Sequence, residues 1–202
     1  MRRPVTELPV WADDPDALRI TEEEYDRLPD QLRKLIEVID GSVIRCRSGS
    51  AEHSDVARRL ANQLEAAKPE DPCTRVSTDV DVHFTKRRNR DGAFSFRRPD
   101  VTIYRCVDRG AKLTTADALL VVEVVSPGSG YTDTVDKLAE YAYEGIAVYL
   151  IVHLDSDLYV KMIQEYRLDW ASRVYRLVET HEDALLLERP FPAVVTFASM
   201  DG

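Results

Sequence analysis

Long apolar runs are missing from this chain. No stretch reaches about 18 apolar residues, and the opening MRRPVTELPVWADDPDAL has two arginines with no apolar segment behind them, so the sequence predicts neither a membrane span nor a secretory leader. A cytoplasmic protein is expected. Cysteine is scarce: Cys46, Cys73 and Cys106 are odd in number, far apart and never in CxxC spacing, which argues against a disulfide framework and a zinc site and predicts reduced thiols. Repeats and low-complexity tracts are absent. Basic charge is also short: 27 Lys and Arg against 36 Asp and Glu leave a net charge of −9, a poor match to a protein that coats nucleic acid by bulk electrostatics.

The glycine-loop chemistries fail as well. SPGSG, residues 126–130, lies between a predicted strand and a predicted helix, but no Gly-Lys-Ser/Thr follows it, and Asp133 stands where a dinucleotide fingerprint needs its third glycine. Ser129 is not in a nucleophile elbow either, because Pro127 takes the first glycine position.

What is present is the composition of a globular domain, 44% apolar and 31% charged over 202 residues. The expected division is a loose arm over 1–19 and a single domain over 20–202. Thr21 with Glu24 predicts a capping box, with Ile20 and Tyr25 as its staple, opening a short helix that stops near Pro29. Asp40-Gly41 between alternating apolar runs predicts a hairpin. In AEHSDVARRLANQLEAA, Val56, Ala57, Leu60, Ala61 and Leu64 recur at helical spacing. RVSTDVDVHF alternates and reads as one half-buried strand, PDVTIYR as a second, and ALLVVEVVS, apolar on both faces, as a central third. YTDTVDKLAEYAYEG then reads as an amphipathic helix closed by Gly145, and AVYLIVHL as a strand, which together give a parallel β-α-β unit. A hairpin turning near Asp169 and an edge strand complete an α/β fold with a mixed sheet.

Several polar groups could carry chemistry. Asp79, Asp81 and His83 share a strand face, as polar residues on a wet face do. His53 sits on the apolar side of its helix and reads as a packed, hydrogen-bonded core histidine. KRRNRDGAFSFRR, residues 86–98, puts six basic residues beside one acid, so Lys86, Arg87, Arg88 and Arg90 form either a solvated hairpin tip or a phosphate-facing patch. Glu123 is the sharpest anomaly, since an ionised acid in Leu-Val-Val-Glu-Val-Val requires a partner, a metal or a catalytic role. Asp100 opens the neighbouring strand, and Lys137 lies on the following helix at i, i+4 from Asp133 and on the face of Tyr141. Two hard acids and an amine at the ends of adjacent central elements suit phosphodiester hydrolysis.

At IEVIDG, His53 and its helix, RRPDVTIY, VVEVVSP, then Asp133, Lys137, Tyr141, Gly145 and VYLIV, the chain resembles the Uma-type family of restriction-endonuclease-like proteins in the PD-(D/E)xK nuclease superfamily. The resemblance spans about residues 20–198 and implies a core of a helix, three strands, a helix and a strand. It implies Mg²⁺, or Mn²⁺, held by Asp100 and Glu123, with Lys137 as the third catalytic residue, supported by Ser126, Asp133 and Glu37. The motif's lysine position is here Val125, so the lysine function falls to Lys137. Where the family writes Val-Asp-Pro, this chain has Val152, His153 and Leu154. The implied partner is DNA, with a homodimer left open. The rival expectation is a non-catalytic nucleic-acid- or protein-binding module that retains the nuclease fold.

Overall fold

The computed structural model describes residues 18–46, 49–86, 94–127 and 131–201. The expected arm therefore lies almost wholly outside the described residues. Helix α1 (Glu22–Arg27) starts at the predicted box: the Thr21 side chain accepts from the Glu24 N–H and the Glu24 carboxylate accepts from the Thr21 N–H. A second short helix, α2 (Asp30–Arg33), follows Pro29 and was not expected. Strands β1 (Ile36–Ile39) and β2 (Ser42–Arg45) pair antiparallel through Asp40 and Gly41, whose φ values of 50° and 80° are what a two-residue turn of this hand requires. Ser50 caps α3 (Ala51–Ala67), which buries Val56, Ala57, Leu60, Ala61 and Leu64 along one stripe.

The strand expected over 75–84 is broken in two. Asp79 adopts a left-handed conformation (φ 51°), and the turn it makes separates β3 (Thr74–Thr78) from β4 (Val82–His83), which pair in different sheets. Alternation of side chains continues across such a turn, so the pattern alone does not reveal it. Beyond it come β5 (Phe96–Arg97), β6 (Val101–Arg105), β7 (Ala118–Val125), α4 (Tyr131–Glu144) and β8 (Val148–Leu154). The chain closes with β9 (Val160–Asp169), β10 (Val174–His181), β11 (Ala184–Leu187), β12 (Ala193–Thr196) and α5 (Phe197–Asp201).

The main sheet runs β10-β9-β8-β7-β6-β3; β7 and β8 are parallel, joined through α4, and the other neighbours are antiparallel. A second sheet, β2-β1-β5-β4, carries the N-terminal hairpin. The edge strand expected after the Asp169 hairpin is instead β11, which pairs with β12 in a sheet of its own, because Leu185, Leu187, Ala193 and Val195 turn one apolar face onto the main core. The expected mixed α/β architecture holds, with α3, β3, β6, β7, α4 and β8 in the order of its core. Strand β7 is buried on both faces. Leu120, Val122 and Val124 meet Leu60 and Leu64 of α3, while Val121 meets Tyr141 of α4 and Tyr149 of β8. Period-2 alternation therefore aims Glu123 at the α4 side. Among the described residues, no helix is long and apolar enough to cross a membrane.

The expectation of three reduced thiols is corrected. Cys73 and Cys106 form a disulfide, with Cα atoms 5.5 Å apart, and Cys46 is free. The two are 33 residues apart in sequence, but the β3–β6 ladder pairs Thr74 with Arg105, so they occupy the next step of the same ladder. Cross-linking constrains the unfolded chain, and Cys73→Ser should lower the unfolding free energy by about 2–4 kcal/mol in non-reducing urea titrations. Cys46→Ser should change it by less than about 0.5 kcal/mol. Coincident titrations of wild type with and without reductant would contradict the assignment.

Candidate active site

The register that pairs Val101 with Val122 brings the residue before β6, Asp100, to the level of Glu123 on β7. Asp100 is held at both oxygens. The Val124 N–H donates to Oδ2 at 2.6 Å, and His53 Nε2 lies 3.0 Å from Oδ1. The histidine is aimed by the start of its helix. Ser50 Oγ accepts from the His53 N–H, and Gly49 leaves room for the ring, since a Cβ at position 49 would lie 2.7 Å from its Cδ2. His53 was read from the sequence as a packed core histidine; it is hydrogen-bonded, but to the acid of the candidate site. Its distance of 47 residues from Asp100 hid the pairing.

Glu123 is buried in the middle of the sheet and also has both oxygens occupied. Lys137 Nζ donates to Oε2 and the Tyr141 hydroxyl to Oε1, each at 2.8 Å. Both donors come from one face of α4, four residues apart. Burial pushes the Glu123 carboxyl up to about 7 against the pull of Lys137, with Asp100 and Glu37 pushing further. Burial, then Glu123 itself, raises the Tyr141 phenol well above its ordinary value, so Tyr141 stays a donor.

The remaining predicted residues divide. Ser126 directly follows β7 and is half-buried. The Asp133 side chain lies outside the described residues. Glu37 accepts from Arg97 Nη1 at 2.9 Å and from the Arg98 N–H at 2.7 Å, so both its oxygens serve the fold. Arg97 in turn donates Nε and Nη2 to Glu140 of α4, at 2.8 and 3.0 Å. This buried carboxylate-guanidinium-carboxylate triad ties α4 to β1 and β5 next to the acids, and its loss would leave uncompensated charge inside.

The basic segment is described only at its two ends. Lys86 donates to the Tyr143 and Glu144 carbonyls at the end of α4, at 3.1 and 2.5 Å, with Gly145 giving it space. A cation there answers the helix's exposed carbonyls. Arg98 pairs with Asp81 at 2.7 Å and donates to the carbonyls of Arg33 and Lys34. Arg87, Arg88 and Arg90 lie outside the described residues. Asp79, Asp81 and His83 line one surface cavity but, among the described residues, do not form a metal-ligand cluster: Asp81 serves Arg98 and the Tyr25 hydroxyl, and the His83 ring packs 5.6 Å from that of Phe96.

Comparison with known proteins gives this geometry a context. Residues 22–200 match the sequence model of the Uma2 family, described as "Putative restriction endonuclease". The chain belongs to the Uma2 family. Its fold is similar to the crystal structure of a "putative nuclease belonging to DUF820" from Anabaena variabilis, with a TM-score of 0.62 and 15% identity over 90% of this chain and 97% of that one. No curated protein matches. Family membership and fold thus agree on a restriction-endonuclease-like protein.

The aim of His53 depends on the missing Cβ at position 49. Gly49→Ala should push the ring off Asp100 and cost about 1.5–3 kcal/mol, the range for a hydrogen bond to a charged group. In a double-mutant cycle by chemical denaturation, Gly49→Ala and Asp100→Asn should be non-additive. Full additivity would show that the ring keeps its place.

Proposed function

We propose that this chain is a metal-dependent endonuclease that hydrolyses DNA phosphodiester bonds with Mg²⁺, or Mn²⁺, held by Asp100 and Glu123. The observation that carries the reading is a buried carboxylate in the central strand, level with a second acid and met by a lysine from the next helix. The donor set fits a hard cation. Each of the four carboxylate oxygens has one protein partner and keeps lone-pair capacity for an ion, and a cation would relieve the like charge that Asp100 and Glu37 impose on Glu123. When bound, such an ion supplies Lewis acidity at the phosphate and lowers the pKa of a water.

The chain's own residues do the rest. His53 and the Val124 N–H fix the orientation of Asp100, and Tyr141 fixes that of Glu123. Lys137 supplies positive charge where the phosphate accumulates negative charge. Ser126, which directly follows β7, and Asp133 of α4 are assigned supporting roles in this reading. A second reading, a binding module without catalysis, draws on the net charge of −9 and on the use of Lys86, Arg97 and Arg98 within the fold.

The readings separate in a nicking assay on supercoiled plasmid and single-stranded DNA with Mg²⁺, Mn²⁺ or chelator. Cleavage should require a divalent ion and fall at least about 100-fold in Asp100→Asn and Glu123→Gln, as loss of a key transition-state interaction does. DNA binding without cleavage under every condition would establish the module instead.

A further inference from the structure

The last two strands of the main sheet carry a second set of metal-type ligands that the proposed nuclease chemistry does not use. Glu179 and His181 are two residues apart on β10 and so project to one face, and Glu179 is the direct cross-strand partner of Glu165 on β9. A register shift between Leu177 and Glu179 sets that alignment, as a bulge that re-aims a side chain does. One ligand atom from each of the three residues lies within 4.8 Å of the others. Glu165 and His181 are 0% and 4% exposed, whereas the Glu179 side chain is 55% exposed and gives the cluster access to solvent.

We propose that Glu165, Glu179 and His181 form a Zn²⁺ site that clips β10 to β9, separate from the acids at Asp100 and Glu123. The polar contacts around the cluster are few. Glu165 Oε1 accepts from Arg167 Nε at 2.7 Å, and its Oε2 lies 3.2 Å from His181 Nε2. His181 Nδ1 accepts from the Leu186 N–H at 3.5 Å and lies 4.0 Å from Glu179 Oε1, and Arg167 Nη2 also donates to Glu188 at 3.4 Å. Arg167 thus answers one oxygen of Glu165, while Glu179 faces that acid across the ladder, an arrangement of like charges that a cation between them would reverse.

Chemistry and spacing select the ion. Ligand atoms about 2.0–2.2 Å from a tetrahedral zinc lie roughly 3.3–3.6 Å apart, close to the Glu165–His181 separation, and the exposed Glu179 side chain can rotate to close the third side. An imidazole among the ligands favours zinc over Mg²⁺ or Ca²⁺, which take all-oxygen sets. Three protein ligands leave the fourth position to water.

The test is titration of chelator-stripped full-length protein with ZnCl₂ by calorimetry and thermal melting, for wild type, Glu179→Gln and Asp100→Asn. Glu179→Gln changes an exposed side chain, so the fold survives without metal. Wild type and Asp100→Asn should bind one Zn²⁺ per chain and melt higher with it, while Glu179→Gln should bind roughly 100-fold more weakly and lose the melting shift. Cobalt(II) should give the visible absorption of a tetrahedral site in wild type and lose it in Glu179→Gln. Equal Zn²⁺ binding by wild type and Glu179→Gln, loss of binding in Asp100→Asn alone, or no binding at all would overturn the proposal.

Discussion

A carboxylate buried in a central strand constrains everything placed around it. Glu123 lies in a strand of the main sheet that is buried on both faces, where an unpartnered anion would cost several kcal/mol. Helix α4 therefore has to present Lys137 and Tyr141 on one face and at one height. The position of α4 is in turn held at Glu140 through Arg97 and Glu37, and at its C-terminus through Lys86. Much of the molecule's buried polarity thus converges on one helix whose task is to meet one acid. Replacing such a network by apolar residues is often neutral or stabilising in other proteins, so stability alone is a weak reason for it, and a reactive site is a better one.

The two acids are prepared differently. Asp100 sits at the mouth of the sheet, held by a backbone N–H and a histidine, and retains some exposure; Glu123 is deeper and pushed towards its neutral form by burial. Such a pair suits a cation that arrives from solvent, since the outer acid receives it and the inner acid gains most from its charge. Lys137 also balances Glu123 while no ion is bound. The same lysine can therefore serve the fold and the reaction.

Much of this was legible in the sequence, and the reasons for the rest are physical. Local signals were reliable: the Thr21–Glu24 box, the Asp40-Gly41 turn, the α3 stripe and the doubly apolar β7 all formed where residue chemistry placed them. Asp100, Glu123 and Lys137 stood out through their order along the chain. Non-local pairings did not. The Cys73–Cys106 bond, the His53–Asp100 contact and the Arg97 triad join residues 33 to 60 positions apart, and only the completed ladders bring them together. Charge runs are ambiguous for a related reason: within the basic segment, Lys86, Arg97 and Arg98 each find a carboxylate or a helix end in space that the sequence does not show. The break at Asp79 was hidden because an apolar alternation records faces and not turns.

The central claim is that Glu123 is held in reserve for a metal ion and is more than half of a structural ion pair. Thermal melts of wild type and Glu123→Gln, each with and without Mg²⁺, address it directly. The account predicts that Mg²⁺ raises the melting temperature of wild type and leaves that of Glu123→Gln unchanged, because only the wild-type folded state binds the ion. A wild type indifferent to Mg²⁺, beside a metal-free mutant destabilised by the ~3–5 kcal/mol expected of a broken buried pair, would contradict it.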